Sequence, residues 1–465
     1  MRWFYLLLAP GLLHAQTYDI VLQRGRLIDP ASGLDAVRSV GIVGKSIAAI
    51  SATPLRGKLV IDATGLVIAP GFIDLHQHEH TPEAYRYKAM DGVTTALELE
   101  VGVSPLEPWY AAREGKSLIN FGASSGHIPA RMSAMKDTGD FLPRDRAGTA
   151  RATAEEHAAT LAGIEKGLGE GGLGLGLGVA YTPAATPSEI LDAFFKVAKW
   201  KRPAFVHMRY LGSGVPGVIE GLQEVIADAA ITGAPLHVVH LNSMALKKTA
   251  EALRIIDSAR ARGLDVTTEA YPYIASETRL ESASFEPGWQ QARGLSYGDL
   301  LWPATGERLT AETFAKYRKQ GGSVVIFGNT EEMMRLALAH PAVMIASDGA
   351  PTHPRMAGTY ARVLGKYVRE EKTLTLMDAI RKSSWMPAQR LAAMSPQMRQ
   401  KGTLRRGADA DIAIFDAAHV IDKATFEKPL RYSEGFRYVL VAGRFIVRDG
   451  KLLEGVLPGE GIRAK

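Results

Sequence analysis

The sequence predicts an α/β protein, a (β/α)8 barrel carrying a small β-sandwich built from both chain ends. Three observations predict it. Across residues 69–400 a short apolar run followed by helix-period sequence recurs eight times, and strands alternating with helices make a parallel sheet. Both ends read instead as short alternating segments broken by Gly, Pro and Asp, the texture of half-exposed strands. No G-x-G-x-x-G fingerprint stands at a strand-to-helix turn with a partner acid about 20 residues on, so a closed barrel fits better than an open dinucleotide-binding sheet.

The elements follow in chain order. Residues 1–16, MRWFYLLLAPGLLHAQ, place an Arg before a short apolar run and end in Leu13-His14-Ala15, similar to a small-residue cleavage site. That pattern predicts a cleavable signal peptide and a periplasmic or secreted protein. The run is shorter than the roughly 20 apolar residues a membrane span needs, and no Cys follows it to take a lipid, so no stable membrane anchor is expected. Residues 17–68 form the N-terminal part of the sandwich. The barrel strands are expected at 71–78, 94–102, 117–126, 172–181, 203–209, 235–242, 264–273 and 342–349. The glycines of 171–178 alternate with Leu inside the fourth strand, a sign of close packing there. The stretch 274–330 is longer than one barrel unit needs and predicts an insertion beside the seventh strand; its aromatic-rich part, Phe285 to Trp302, either covers the site as a lid or packs on the barrel. Residues 401–465 complete the sandwich, with ADIAIFD (410–416) and YVLVAGRFIVRDGKLL (438–453) as its strands.

Composition narrows the chemistry. The chain has 465 residues and no Cys, which removes disulfides, thiolate metal sites and thiol nucleophiles. Any metal must be held by His, Asp or Glu. A net charge of +6 without long runs of like charge gives no nucleic-acid tether.

In such barrels chemistry sits where the strands end at their C-terminal face. The first strand ends in His76-Gln77-His78, and alternation puts both imidazoles, with Asp74, on one side. The fifth strand ends at His207, the sixth at His240 and the eighth at Asp348; the second carries Glu98 and Glu100 on one side. A lone strand His is usually a core residue and a lone Asp before Gly usually a turn. His-x-His on the first strand followed by His, His and Asp at three later strand ends is not explained by core packing, and buried carboxylates need a cation. Imidazole and carboxylate donors suit zinc, with other divalent metals open, as one or two ions. His80 and His127 lie beyond strand ends within reach of a substrate, while His157 and His340 read as surface residues.

These residues resemble the amidohydrolase superfamily and, within it, the D-aminoacylase (N-acyl-D-amino-acid deacylase) family. The resemblance runs from about residue 18 to 465 and rests on APGFIDLHQH (69–78), DGVTTALELE (91–100), HMR (207–209), YPYIASET (271–278), SDGAPTHPRMAGTYARVLGKYVRE (347–370) and KGTLRRGADADIAIFD (401–416). It implies the barrel with its sandwich, His76 and His78 as ligands of one metal, His207 and His240 as ligands of a second, and Asp348 as the catalytic acid of the eighth strand. Tyr271 matches a carboxylate-binding tyrosine; Arg279, Arg355 and His127 are further candidates for holding substrate. Two departures stand out. The family's second-strand Cys ligand is replaced in the stretch Glu100-Val101-Gly102, so Glu100 is the candidate for a bridging carboxylate, with Glu98 in reserve. The family's His-His-Lys segment reads His240-Leu241-Asn242, which removes a Lys from the carboxylate site.

The activity implied is hydrolysis of the amide of a small N-acyl-amino acid, most naturally of the D series. A divalent ion would lower the pKa of water from 15.7 towards about 7, and Asp348 would shuttle the proton to the leaving nitrogen. Alternatives are a cyclic amide hydrolase of the dihydroorotase or hydantoinase kind, a metallodipeptidase acting on D residues, and, more remotely, an inactive barrel scaffold. The last should have lost strand-end ligands, and here they all stand.

Overall fold

A computed structural model describes residues 17–465, and the expected signal peptide at 1–16 lies outside the described residues. Eight parallel strands form the central sheet, in chain order Phe72–Asp74, Val93–Val103, Asn120–Gly126, Leu175–Gly178, Ala204–His207, Leu236–Val238, Val266–Ala270 and Val343–Ile345. The sheet runs in sequential order, and its first and last strands meet through a parallel bridge between Gln77 and Gly349, closing the barrel. The predicted barrel is therefore present, strand for strand.

Short buried strands alternate with amphipathic helices, several of which open on a capping residue and turn one apolar face to the sheet. Pro187–Lys199 shows how: the Thr186 hydroxyl accepts the Glu189 N–H, Pro187 occupies the first turn, and Lys196 and Lys199 sit in the last. Its buried residues Ile190, Ala193, Phe194 and Val197 recur at i, i+3, i+4 and i+7 and face the sheet.

The two chain ends join one nine-stranded sheet. Val67–Pro70 pairs antiparallel with Ile412–Phe415 and parallel with Thr17–Asp29. Alternation divides its side chains: Ile68, Ile412, Ile414 and Leu440 enter the sheet's own core with Leu22, Val40 and Ile47, whereas Val67, Ala69, Ala413, Phe415 and Val441 pack into the barrel's core.

The insertion follows the seventh strand as a four-stranded antiparallel sheet, in the order Ala275–Arg279, Ser323–Phe327, Leu300–Trp302, Glu307–Arg308. Phe285, Trp289 and Trp302 pack with Leu280, Phe314 and Tyr317 in a core of their own. The aromatic stretch thus holds the insertion together, and its first strand reaches over the barrel mouth.

Candidate metal centre and substrate cavity

The strand-end residues converge. His76 Nε2, His78 Nε2, one Glu100 oxygen and Asp348 Oδ1 form one group of potential ligand atoms; the other Glu100 oxygen, His207 and His240 form a second, with all atoms of each group within 4.8 Å of one another. Glu100 belongs to both. Its Oε2 lies 3.0 Å from His76 Nε2 and 3.1 Å from His78 Nε2, while its Oε1 lies 2.6 Å from His207 Nδ1 and 3.3 Å from His240 Nε2. Asp348 Oδ1 is 3.2 Å from His78 Nε2 and 3.5 Å from His76 Nε2.

The sequence leaves Glu98 and Glu100 as alternatives, and they take different places. Glu98 lies behind the cluster, accepting the Val101 N–H with Oε1 at 3.2 Å and standing 2.9 Å from His78 Nδ1 with Oε2. Glu100 lies between the imidazoles because its strand passes hard against the fourth: a Cβ on Gly176 would fall 2.5 Å from the Glu100 carbonyl oxygen, so only glycine fits there. The alternating glycines of the fourth strand are thus part of the site's construction.

Two of the cluster's residues have left-handed backbone. His240 has φ 27° and Asp348 φ 51°, left-handed conformations that cost a non-glycine residue on the order of 1–3 kcal/mol and persist only where the surroundings enforce them. For Asp348 the enforcement is visible. The adjacent Ser347 donates its N–H and hydroxyl to the buried carboxylate of Asp74, which also pairs with Lys88 Nζ at 2.8 Å. Asp74, on the same side as the His pair, anchors the eighth strand to the first.

The electrostatics are those of a cation site. Burial disfavours charge on His76, yet Asp348, Glu100 and Glu269 outweigh it and raise its pKa to about 10. Burial likewise pushes Glu100 upward, and His76, His207 and His240 overcome this and hold it well below the usual carboxylate range. Carboxylates and imidazoles packed this closely and this deeply are mutually stabilised only by positive charge, protons here or a metal ion in their place. The donor set, His nitrogen and carboxylate oxygen without sulfur, fits a divalent metal of the zinc class.

Sequence reasoning missed Glu269. It lies on the seventh strand, fully buried, with Oε1 2.6 Å from His76 Nδ1 and Oε2 3.1 Å from His237 Nε2. The available signal was alternation, since Thr267, Glu269 and Tyr271 share one side of their strand.

A cavity of about 310 Å³ opens over the cluster, lined by His78, Glu100, His207, His240 and Asp348 below and by residues of the insertion, Ser276 to Arg279, above. Arg355 lines it, fully buried, with Nη1 2.8 Å from Asp348 Oδ2 and its guanidinium 4.8 Å from the centre of the Tyr271 ring. Arg355 Nε and the Tyr271 hydroxyl are both buried without a hydrogen-bond partner among the described residues. Arg279 also lines the cavity and pairs with Glu281 at 2.9 Å. His127 lies elsewhere: it is buried 3.0 Å from Glu189, which also pairs with Arg131, and it does not line the cavity. The reason is local, since His127 opens the helix His127–Met135 and faces the helix Pro187–Lys199. His80 is likewise tied into the fold, 2.7 Å from the Gln77 carbonyl and 2.9 Å from the Tyr85 hydroxyl. Tyr271 and Asn242, the latter where the family places a Lys, are both buried and do not line the cavity; the Asn242 amide donates to the Tyr271 carbonyl at 3.4 Å, and Tyr271 meets the site through the Arg355 guanidinium on its ring.

Comparison with known proteins agrees with this geometry. The family described as "Amidohydrolase family" matches residues 191–447, more than half of the chain. An N-acyl-D-glutamate deacylase of Alcaligenes xylosoxydans xylosoxydans is 30% identical, over 91% of this chain and 93% of the relative. A D-aminoacylase of the same organism is 29% identical over 92% and 94%. Among solved structures, an N-acyl-D-glutamate deacylase of Bordetella bronchiseptica, complexed with zinc and a phosphonate mimic of the tetrahedral intermediate, superposes with a TM-score of 0.82 at 27% identity, covering 97% of this chain and all of that one. A D-aminoacylase studied for its binuclear metal centre gives 0.80 at 26% identity, covering 96% of this chain and 100% of its own. With the barrel, the strand-end His and carboxylate cluster and these relatives in agreement, the chain belongs to the amidohydrolase superfamily, in the branch of the metal-dependent D-aminoacylases, hydrolases of carbon–nitrogen bonds other than peptide bonds.

Proposed function

We propose that this protein hydrolyses the amide bond of N-acyl-D-amino acids using zinc held on both sides of Glu100. The observation that carries the reading is the single buried carboxylate shared by two histidine pairs, with Asp348 and an arginine-lined cavity above it. His76, His78 and Asp348 would hold one ion, His207 and His240 the other, and Glu100 both. An ion bound there supplies an acidified water and polarises a carbonyl oxygen.

The chain's own residues do the rest. Asp348 takes the proton of the attacking water and returns it to the leaving nitrogen. Burial pushes its carboxyl upward, but Arg355 and the imidazoles more than offset this and keep it ionised, ready to accept. Arg355 holds Oδ2 at 2.8 Å, which leaves Oδ1 towards the cluster. Arg355 lines the cavity with its Nε buried and unpartnered, a donor for which a substrate carboxylate would supply the acceptor. With Asn242 withdrawn behind the cavity wall, Arg355 takes over the role of the family's Lys.

The test is release of free amine from N-acetyl-D- and N-acetyl-L-amino acids, dipeptides and hydantoins by zinc-loaded protein. The reading requires turnover of the D series. Exclusive turnover of hydantoins or dipeptides would transfer the protein to one of the alternative activities.

A further inference from the structure

Three arginines line the cavity over the metal cluster, and two of them are engaged: Arg355 with Asp348 at 2.8 Å and Arg279 with Glu281 at 2.9 Å. Arg293 is the third. It is half-buried, with neither a salt bridge nor a side-chain hydrogen bond to any described residue. Burial pulls its pKa down to about 10, opposed only by Tyr181, and no carboxylate is among the groups that act on it. It therefore stays charged at neutral pH inside the substrate cavity. Glu277, a carboxylate of the same cavity, accepts the Thr352 hydroxyl instead, and Glu286, in the same segment as Arg293, pairs with Arg318 at 2.8 Å.

The barrel fixes where this arginine stands. Arg293 ends the short helix Trp289–Arg293, and Gly294 follows it in a left-handed conformation, φ 67°. The Gly214 N–H, in the loop after the fifth strand, donates to the Ala292 carbonyl at 3.3 Å. A Cβ on Gly212 of that loop would fall 2.7 Å from the same carbonyl oxygen and 3.1 Å from the Arg293 Cα, so the two segments lie backbone to backbone. The guanidinium carbon lies 5.3 Å from the centre of the Phe285 ring, which belongs to the insertion's core. A half-buried cation without a counter-ion is costly. A ligand carboxylate supplies the counter-ion and matches the planar fork of the guanidinium.

Arg293 and Arg355 belong to opposite sides of the barrel mouth. Arg355 follows the eighth strand, whereas Tyr181, the group that acts on Arg293, follows the fourth, and these two strands oppose one another in a closed eight-stranded barrel. The rings of Tyr181 and His207 have their centres 4.8 Å apart, so this side also borders the metal cluster. A substrate whose amide lies over Glu100 and whose α-carboxylate meets Arg355 leaves Arg293 unanswered. Resting on the deacylase reading above, we infer that Arg293 recognises a second carboxylate, and that the protein acts on N-acyl-D-amino acids carrying two negative charges. The amino-acid side chain and the acyl chain can each carry that carboxylate; its chemistry at Arg293 is the same, and the test separates the two sources.

The zinc-loaded wild type, Arg293→Met and Arg293→Gln are compared on two matched pairs: N-acetyl-D-glutamate with N-acetyl-D-glutamine, and N-succinyl-D-leucine with the same compound amidated at its succinyl carboxyl. Within each pair only the second carboxylate is exchanged for its neutral isostere. The wild type is expected to favour the acid by roughly tenfold in kcat/KM in at least one pair, through KM, as for one charge-assisted contact. The pair that shows the preference identifies the source of the carboxylate. Arg293→Met and Arg293→Gln should both remove it. No wild-type preference for the acid in either pair, a preference that survives in either variant, or cleavage of other N-acetyl-D-amino acids but none of these four overturns the role of Arg293 while leaving the deacylase reading in place. Turnover of no N-acyl-D-amino acid at all overturns both.

Discussion

Glu269 Oε1 stands 2.6 Å from His76 Nδ1, deep in the barrel, and Glu269 Oε2 stands 3.1 Å from His237 Nε2. His237 in turn has its Nδ1 2.7 Å from the Thr267 hydroxyl. A carboxylate on Nδ1 fixes that nitrogen as the protonated one, so Nε2 is the nitrogen that would offer its lone pair to a metal ion taking the place of its proton. Partners of this kind typically contribute 10–100-fold to metal affinity. Glu269→Gln is therefore expected to weaken zinc binding about 10–100-fold with little loss of thermal stability in excess zinc. Competition against a chromophoric chelator measures it; wild-type affinity would deny Glu269 this role.

Asp348 and Arg355 should fail differently. Asp348→Asn removes the proton acceptor and is expected to lower kcat by about 10²–10⁴-fold while the His and Glu100 ligands retain most of the metal. Arg355→Met removes the guanidinium that holds Asp348 and that is proposed to bind the substrate carboxylate, so KM should rise together with the fall in kcat. Steady-state kinetics beside metal analysis separates the two patterns.

Gly176→Ala tests the contact that sets Glu100 in place. The added methyl would fall 2.5 Å from the Glu100 carbonyl oxygen and 2.8 Å from that of Leu99, so the second strand has to move. Zinc content after dialysis should drop with secondary structure retained by circular dichroism, and retention of full zinc content would show that the strand can give way freely.

Lys382 makes stability depend on alkaline pH. It is buried, with Nζ donating to the carbonyls of His340 and Val343. Burial, helped by neighbouring Arg381, lowers its pKa from 10.5 to about 8. Between those values the unfolded chain binds the proton and the folded one does not, so stability rises with pH through the window; below about 8 the penalty of the buried charge is fully present. The rise is at most about 3 kcal/mol. Lys382→Met should flatten it, as read from urea unfolding of both proteins at several pH values across the window.

Much of this was legible in the chain. The barrel strands stand out because each is a short apolar run ahead of helix-period sequence, and His76, His78, His207, His240 and Asp348 stand out because so many ligand-type residues at the strand ends of one barrel are not explained by core packing. Parity alone put Glu98 and Glu100 on one side of their strand; it could not tell them apart, because what separates them is the close approach of the fourth strand at Gly176. Glu269 was hidden by position, in mid-strand rather than at a strand end. His127 was misleading for the opposite reason, since a His just past a strand looks like a site residue until the distant Glu189 that binds it is known.

Glu100 is proposed to bridge two metal ions. Crystals grown with zinc and measured at its absorption edge test it directly. Two anomalous peaks flanking the Glu100 carboxylate are expected, one among His76, His78 and Asp348 and the other between His207 and His240. Zinc bound away from Glu100, or no zinc in a cluster held together by hydrogen bonds alone, would contradict it.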